Sequence, residues 1–118
     1  MARTTRDTLG EFEQSLLLAI IHLADDAYGV TIRHEIEART GREVAIGALY
    51  TALDRLERKG FVRSTMSEPI AERGGRSKRT FRLRPAGADA LRQSRERLAR
   101  MWAGLTPSLA PIGKRDRS

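Results

Sequence analysis

The fold is decided by residues 47–62, GALYTALDRLERKGFV. In this stretch and just before it, apolar side chains recur at spacings of three and four, at Ile46, Leu49, Leu53 and Leu56. This is the period of an amphipathic helix, so we predict a helix over residues 45–59 that buries these four side chains and ends at Gly60. The next six residues are rich in strand formers, so the chain is predicted to change from helix to strand there.

Two further helices are predicted upstream of this stretch. The first covers residues 9–24, with an apolar stripe at Leu9, Phe12, Leu16, Ile20 and Leu23. Thr8 and Glu11 have the spacing of a capping box and are predicted to cap this helix. The second helix buries Ile32 and Ile36 and ends at Gly41, because glycine suits the left-handed position after a helix.

A two-stranded hairpin and a fourth helix are predicted downstream. The strands are residues 61–66 and 78–84, and the loop between them is residues 67–77 with the pair Gly74-Gly75. Alternation along the second strand turns Phe81 and Leu83 toward the core and Arg82 and Arg84 toward solvent or a ligand. Pro85 suits the first position of the fourth helix.

The predicted order of elements is three helices, a hairpin and a helix, which is a mostly α fold with a small β-hairpin. It corresponds to a winged helix-turn-helix domain over residues 9–84, followed by a C-terminal dimerisation helix over residues 85–106. Residues 1–8 are predicted to form a flexible arm and residues 107–118 a flexible basic tail. In such domains the third helix enters the major groove, and the hairpin, called the wing, contacts the phosphate backbone.

Charge is distributed unevenly along this small, single-domain chain of 118 residues. With 22 Lys and Arg against 15 Asp and Glu, the net charge is +7. Residues 1–60 are slightly acidic, with 8 basic and 10 acidic side chains, whereas residues 61–84 hold 7 basic and 2 acidic ones. The segregation of positive charge into the hairpin and the C-terminal third favours a polyanionic partner.

Several classes of protein are excluded by composition. Cysteine is absent, which excludes a disulfide scaffold, a thiolate metal site and a cysteine nucleophile. The longest nearly apolar run, residues 16–24, is too short to span a bilayer, and no stretch reads as a secretion signal. We therefore expect a cytoplasmic protein with no membrane partner.

The third helix and the hairpin carry the side chains that we predict to bind double-stranded DNA. On the outer face of the helix these are Tyr50, Thr51, Arg55 and Arg58. Around the glycine pair of the hairpin they are Arg73, Arg76, Lys78 and Arg79. Hydroxyl, methyl and guanidinium groups can contact base edges or phosphates, and glycines let a loop come close to the DNA backbone. The alternative is a solvated helix face with local ion pairs and a loop kept soluble by its charge.

The chain resembles PadR-type transcriptional regulators. Residues 47–62 have that family's recognition-helix signature: a Leu-Tyr pair, leucines four and seven residues after the first, then Glu and Gly. Three further segments are similar to the family, namely residues 9–13 and 28–30 at the openings of the first two helices and residues 75–87 at the wing. The resemblance implies a bacterial or archaeal repressor that binds operator DNA as a homodimer and is often released by a small aromatic or amphipathic ligand. One departure is Arg84, where the family often has a threonine cap.

The fourth helix carries an apolar stripe that a small winged domain cannot cover alone. With part of the first helix it forms the predicted dimer interface, at Leu17, Ile21, Leu91, Leu98, Met101, Trp102 and Leu105. The alternative is a monomer whose fourth helix folds back on its own core. Trp102 is the only tryptophan, and the resemblance to short regulators makes it a candidate for stacking on an aromatic effector. The alternative role of Trp102 is that of an interface anchor.

No catalytic, metal or cofactor site is predicted. His22 and His34 lack a metal-ligand spacing, and no phosphate-binding glycine loop precedes a helix. We therefore expect no enzymatic activity. A second hypothesis remains, in which the winged helix binds a partner protein and its basic charge is incidental.

Overall fold

Three helices, a two-stranded antiparallel hairpin and a fourth helix follow one another along the chain, as the sequence predicts. The computed structural model describes residues 8–67 and 78–105. Its elements are α1 (Glu11–Leu23), α2 (Gly29–Thr40), α3 (Ile46–Arg58), β1 (Val62–Met66), β2 (Arg79–Leu83) and α4 (Pro85–Trp102). A 3-10 turn, Ala24–Asp26, joins α1 to α2. The predicted arm, the basic tail and most of the hairpin loop lie outside the described residues.

The core lies between the first three helices and the inner face of the hairpin. Its largest fully buried side chains are Leu16, Leu17, Ile32, Leu49, Leu53, Leu56, Val62 and Phe81. The buried stripes predicted for α1 and α2 are confirmed, and Gly41 ends α2 in the left-handed conformation. Phe81 is fully buried and Leu83 packs at the edge of the core, as the alternation along β2 predicts. Because one face of the hairpin is buried, its register is strongly specified, with Ser64 opposite Phe81.

The start of α1 differs from the prediction. The N-cap is Gly10, and its N–H donates to Glu13 Oε1 at 3.1 Å. Glu13, the second of the two acidic residues in the first turn, therefore completes the capping box in place of Glu11. The N-cap lies two residues later than the predicted one.

The first residue of α3 is a second correction. Ile46 is 43% exposed, although its spacing placed it on the buried face. Val44, in the turn before the helix, takes the inward position instead and is buried. This turn is held by Glu37, whose Oε2 accepts the Val44 N–H at 2.8 Å. The same hydrogen bond lowers the pKa of Glu37 below its ordinary value.

The segment before α2 pairs with the free edge of β2 through a single isolated bridge. The Phe81 N–H donates to the Ala27 carbonyl at 2.8 Å, and Tyr28 forms a bridge with Thr80. Strand β2 therefore lies between β1 and this segment. As a result, the hairpin is attached to the start of α2 as well as to the end of α3.

Helix α4 leaves the hairpin at a tightly packed point. Pro85 is its first residue, as predicted. A Cβ atom on Gly87 would lie 2.4 Å from the Phe61 carbonyl oxygen, so only glycine fits there without a shift of the backbone. Beyond this point α4 buries only Ala90 and Ser94, and its second half extends past the core.

A carboxylate on α3 binds both strands of the hairpin. Glu57 Oε2 accepts the Ser64 N–H at 3.0 Å, and both its oxygens lie 2.9 Å from the Ser64 hydroxyl. Arg79 on β2 donates from Nη2 to Glu57 Oε1 at 2.8 Å and to Asp54 Oδ1 at 3.0 Å. We call these four residues the α3–wing joint. Burial raises the pKa of Glu57, but the hydrogen bonds from Ser64 and Arg79 outweigh this effect and hold it below its ordinary value.

We expect the α3–wing joint to make stability depend on pH through Glu57. A carboxyl whose pKa is lower in the folded chain stabilises it above the unfolded pKa, about 4.3, and loses this contribution as the pH falls through the folded value. Urea unfolding of the wild type and Glu57→Gln should therefore differ most near neutral pH and converge in acid. Ser64→Ala, which removes only one donor, should give an intermediate result. Parallel stability curves for wild type and Glu57→Gln would contradict this role.

Candidate nucleic-acid interface

The outer face of α3 is open to solvent. Tyr50, Thr51, Arg55 and Arg58 are all exposed there, on the side away from the three buried leucines. The structure thus brings together, on one helix, four of the eight side chains predicted to bind DNA. Gly47 and Ala48 are exposed beside them, so the start of this face carries small side chains.

Tyr50 is positioned by a glycine on the neighbouring helix. A Cβ atom on Gly29 would lie 2.0 Å from the Tyr50 hydroxyl oxygen, so the ring end rests directly on the first turn of α2. Gly29 is itself buried. From the sequence, Gly29 was identified only as part of the segment that begins the second helix. Its packing against Tyr50 has one indication in the sequence: a tyrosine at this position of α3 needs a small residue opposite its hydroxyl.

The two described cations of the wing base are held against the domain. The ammonium group of Lys78 lies 4.2 Å from the centre of the Tyr28 ring, a cation–π contact. The Arg79 guanidinium belongs to the α3–wing joint and also lies over the Phe81 ring, 4.9 Å from its centre. Partial burial lowers the pKa of Arg79, whereas its hydrogen bonds to Asp54 and Glu57 raise it above its ordinary value. The other two predicted wing cations, Arg73 and Arg76, lie outside the described residues.

The contact of Arg79 with Asp54 changes the charge of the exposed face of α3. Asp54 sits on α3 between Tyr50 and Arg58, where an unpaired carboxylate would repel a phosphate. Its pairing with Arg79 at 3.0 Å offsets that negative charge. Arg79 is therefore engaged with an acidic neighbour on this face, whereas its predicted contact with DNA stays a prediction.

The strands add two exposed arginines, of which Arg82 was predicted to face solvent or a ligand and Arg63 was not singled out. Arg63 on β1 and Arg82 on β2 are register partners and are both exposed. Arg82 forms an ion pair with Asp25 at 2.7 Å. Both arginines lie on the outer face of the hairpin, and the alternation of strand side chains was the available signal for Arg63.

A second open surface lies on α4 and the adjoining side of α1. Its exposed apolar side chains are Leu18, Ile21, Leu98, Met101, Trp102 and Leu105. One residue predicted for the dimer interface lies elsewhere: Leu17 is fully buried in the core of its own chain, because the inner face of α1 is wider than its stripe. Leu91 is partly buried against the same core, but it still lines this side of α4.

A groove of about 580 Å³ runs between α1 and α4 on this surface. Its apolar lining includes Leu18, Leu98 and Trp102, and Arg92 and Arg95 also line it. Within the described ranges, no helix has the length and apolar composition needed to cross a membrane.

Comparison with known proteins identifies the family. Residues 17–93, more than half of the chain, match the family described as the transcriptional regulator PadR-like family. This span runs from the middle of α1 through both strands to the middle of α4. It includes the exposed face of α3 and the α3–wing joint.

Individual relatives agree with this match. A transcriptional regulator of Mycobacterium tuberculosis is 36% identical over 100 residues, which cover 80% of this chain and 89% of that protein. An uncharacterized 37.1 kDa transposon protein of Streptomyces fradiae is 35% identical over 96 residues, but the match spans only 26% of its length. The crystal structure of a PadR family transcription regulator from Clostridium difficile has the same fold, with a TM-score of 0.62, 23% identity, and coverage of 76% of this chain and 90% of that one. The chain therefore belongs to the PadR-like family of transcriptional regulators.

Proposed function

We propose that this regulator is a homodimeric repressor in the cytoplasm that binds a palindromic operator, with α3 of each protomer in the major groove. The observation that carries the proposal is the open face of α3, where Thr51, Arg55 and Arg58 are exposed. A major groove about 12 Å wide admits one helix. Thr51 and Arg55, on the exposed turns, are assigned to base edges.

The wing is assigned to the phosphate backbone. Lys78, immediately before β2, is the described cation closest in sequence to the loop, and Arg73 and Arg76 belong to that loop. The α3–wing joint holds the hairpin at a set angle to α3, so that helix and wing can reach groove and backbone together. Phosphate contacts of this kind set the register and supply a salt-dependent part of the affinity.

We expect the protein to bind the DNA immediately upstream of its own gene about a thousandfold more tightly than random duplex. Fluorescence anisotropy at two or more salt concentrations measures this. Lys78→Ala should weaken binding to both probes and reduce the salt slope by about 1, because one phosphate contact is lost. Arg55→Ala should cost about 1–3 kcal/mol on the operator and relax the preference at one position.

Two outcomes would contradict the proposal. Equal losses on operator and random DNA for both variants would refute the division between phosphate and base contacts. Absence of binding to any duplex, at low as well as high salt, would favour a module that binds a partner protein.

Dimerisation is supported by the apolar surface of α1 and α4. Leu98 and Met101 are 59% and 75% exposed in a single chain, which is unusual for large apolar side chains clustered together. Helix α4 has 18 residues, or about 27 Å, which is enough to reach across a two-fold axis. A two-fold dimer also places two copies of α3 against the two halves of a palindrome.

We expect the wild type to have twice the mass of the 13.2 kDa chain in light scattering at micromolar concentration. Leu98→Asp should shift it to the monomer, because a charge would be buried in an apolar interface. Met66→Asp, at an equally exposed apolar side chain on β1, is the matched control and should remain dimeric. A monomeric wild type would exclude the dimer.

The groove beside Trp102 is the proposed site of a small aromatic effector. Its apolar lining and volume suit a planar ligand, and Trp102 can stack on it. Because Leu98 and Trp102 belong to both the groove and the proposed interface, an occupant there could change the separation of the two recognition helices and release the operator.

We expect planar phenolic or cationic compounds that bind the protein to quench its fluorescence, since Trp102 is the only tryptophan. Calorimetry identifies the binders independently of fluorescence. A compound that binds by calorimetry and leaves the emission of Trp102 unchanged would place the effector site elsewhere.

A further inference from the structure

The first two turns of α3 expose apolar groups on two flanks of the helix. Ile46 is 43% exposed at the start of the helix, and Thr51 is exposed five residues later, about 140° further around the helix axis. The residues between them include Gly47 and Ala48, which are exposed but too small to shield their neighbours. Leu49 is buried, and Tyr50, the large exposed side chain among them, rests its hydroxyl end on Gly29.

These two turns lack the side chains that form paired hydrogen bonds to bases. Residues 46–51 read IGALYT and contain no Arg, Lys, Asn or Gln. Guanine is usually recognised by Arg or Lys, and adenine by the two hydrogen bonds of Asn or Gln. Recognition by this part of the helix must therefore depend mainly on shape and apolar contact.

One base offers an apolar group in the major groove. Thymine carries a 5-methyl group there, and neither cytosine nor either purine has an equivalent. We propose that Ile46 and the methyl group of Thr51 contact thymine 5-methyl groups, so that each operator half-site has A·T pairs beneath the first two turns of α3. The inference rests on the proposed DNA binding and specifies the bases that are read.

The exposure of Ile46 is central to this inference. Its spacing from Leu49 and Leu53 would suit a core position, yet Val44 is buried in the preceding turn and Ile46 is left 43% exposed. Contact with a thymine methyl group would remove the exposed isoleucine from water, which is favourable in proportion to the apolar area covered. Arg55 and Arg58 begin one turn beyond Thr51, and they serve the flanking bases or phosphates.

The experiment begins with selection of preferred half-sites from a random duplex library by the wild-type protein. Each thymine of the selected site is then replaced singly by deoxyuridine, which removes the methyl group and keeps the base pair. We expect at least one replacement to weaken binding about fourfold, the effect of one buried methyl-sized group.

Variants assign the effect to the two side chains. Ile46→Ala and Thr51→Ser should each bring the ratio of thymine to deoxyuridine affinity close to one at a particular position, because the apolar partner of that methyl group is gone. Thr40→Ser is the matched control, since it removes the same methyl group from an exposed threonine at the end of α2. Its ratios should equal those of the wild type.

The outcomes separate this inference from the proposed function. A selection that yields no preferred sequence would refute sequence-specific binding itself. A clear selected site at which every deoxyuridine probe binds as tightly as thymine would leave the repressor intact and overturn the methyl contact. Wild-type ratios in both Ile46→Ala and Thr51→Ser would overturn the assignment to these residues.

Discussion

The α3–wing joint is the constraint on which the rest of the structure depends. Glu57 receives hydrogen bonds from both strands of the hairpin, through Ser64 on β1 and Arg79 on β2. The buried side chains of Val62 and Phe81 hold one face of the hairpin against the core, and the carboxylate bound to both strands sets the position of the hairpin relative to α3. Charge-assisted hydrogen bonds of this kind are stronger and more directional than neutral ones. The joint therefore connects the helix and the wing into one continuous surface.

Two surfaces are left open around this unit, and they differ in chemistry. The exposed face of α3 carries small side chains near its start and cationic side chains toward its end. The surface of α1 and α4 is apolar, with Leu98 and Met101 largely exposed. A chain of 118 residues has a modest core, and α4 extends beyond what that core can cover. The first surface suits a polyanion that has a groove wide enough to admit the helix. The second suits another copy of the same chain, which would align two copies of the first.

The residues for which the prediction and the structure differ do so for a common physical reason. The spacing of apolar residues gives an angle around a helix axis but does not say how far the core extends along the helix or around it. Leu17 is buried because the inner face of α1 is wider than the stripe that predicted it. Ile46 is exposed because the core ends at the preceding turn, where Val44 takes the inward position. Gly29 escaped notice as a packing residue because its neighbour, Tyr50, comes from another helix.

By itself the sequence determined the number and order of the elements, the buried stripes of the helices, the orientation of Phe81, and the family resemblance in the recognition helix and wing. These features depend on periods of two or about four residues and on the local conformations of glycine and proline, which act over short distances. Only the tertiary structure decided which charges are paired between different elements. It brought Arg79 to Asp54, 25 residues away, and Lys78 to Tyr28, because attraction between charges and rings acts between side chains that folding brings together. It also decided which apolar side chains remain uncovered, since coverage depends on every element that packs nearby.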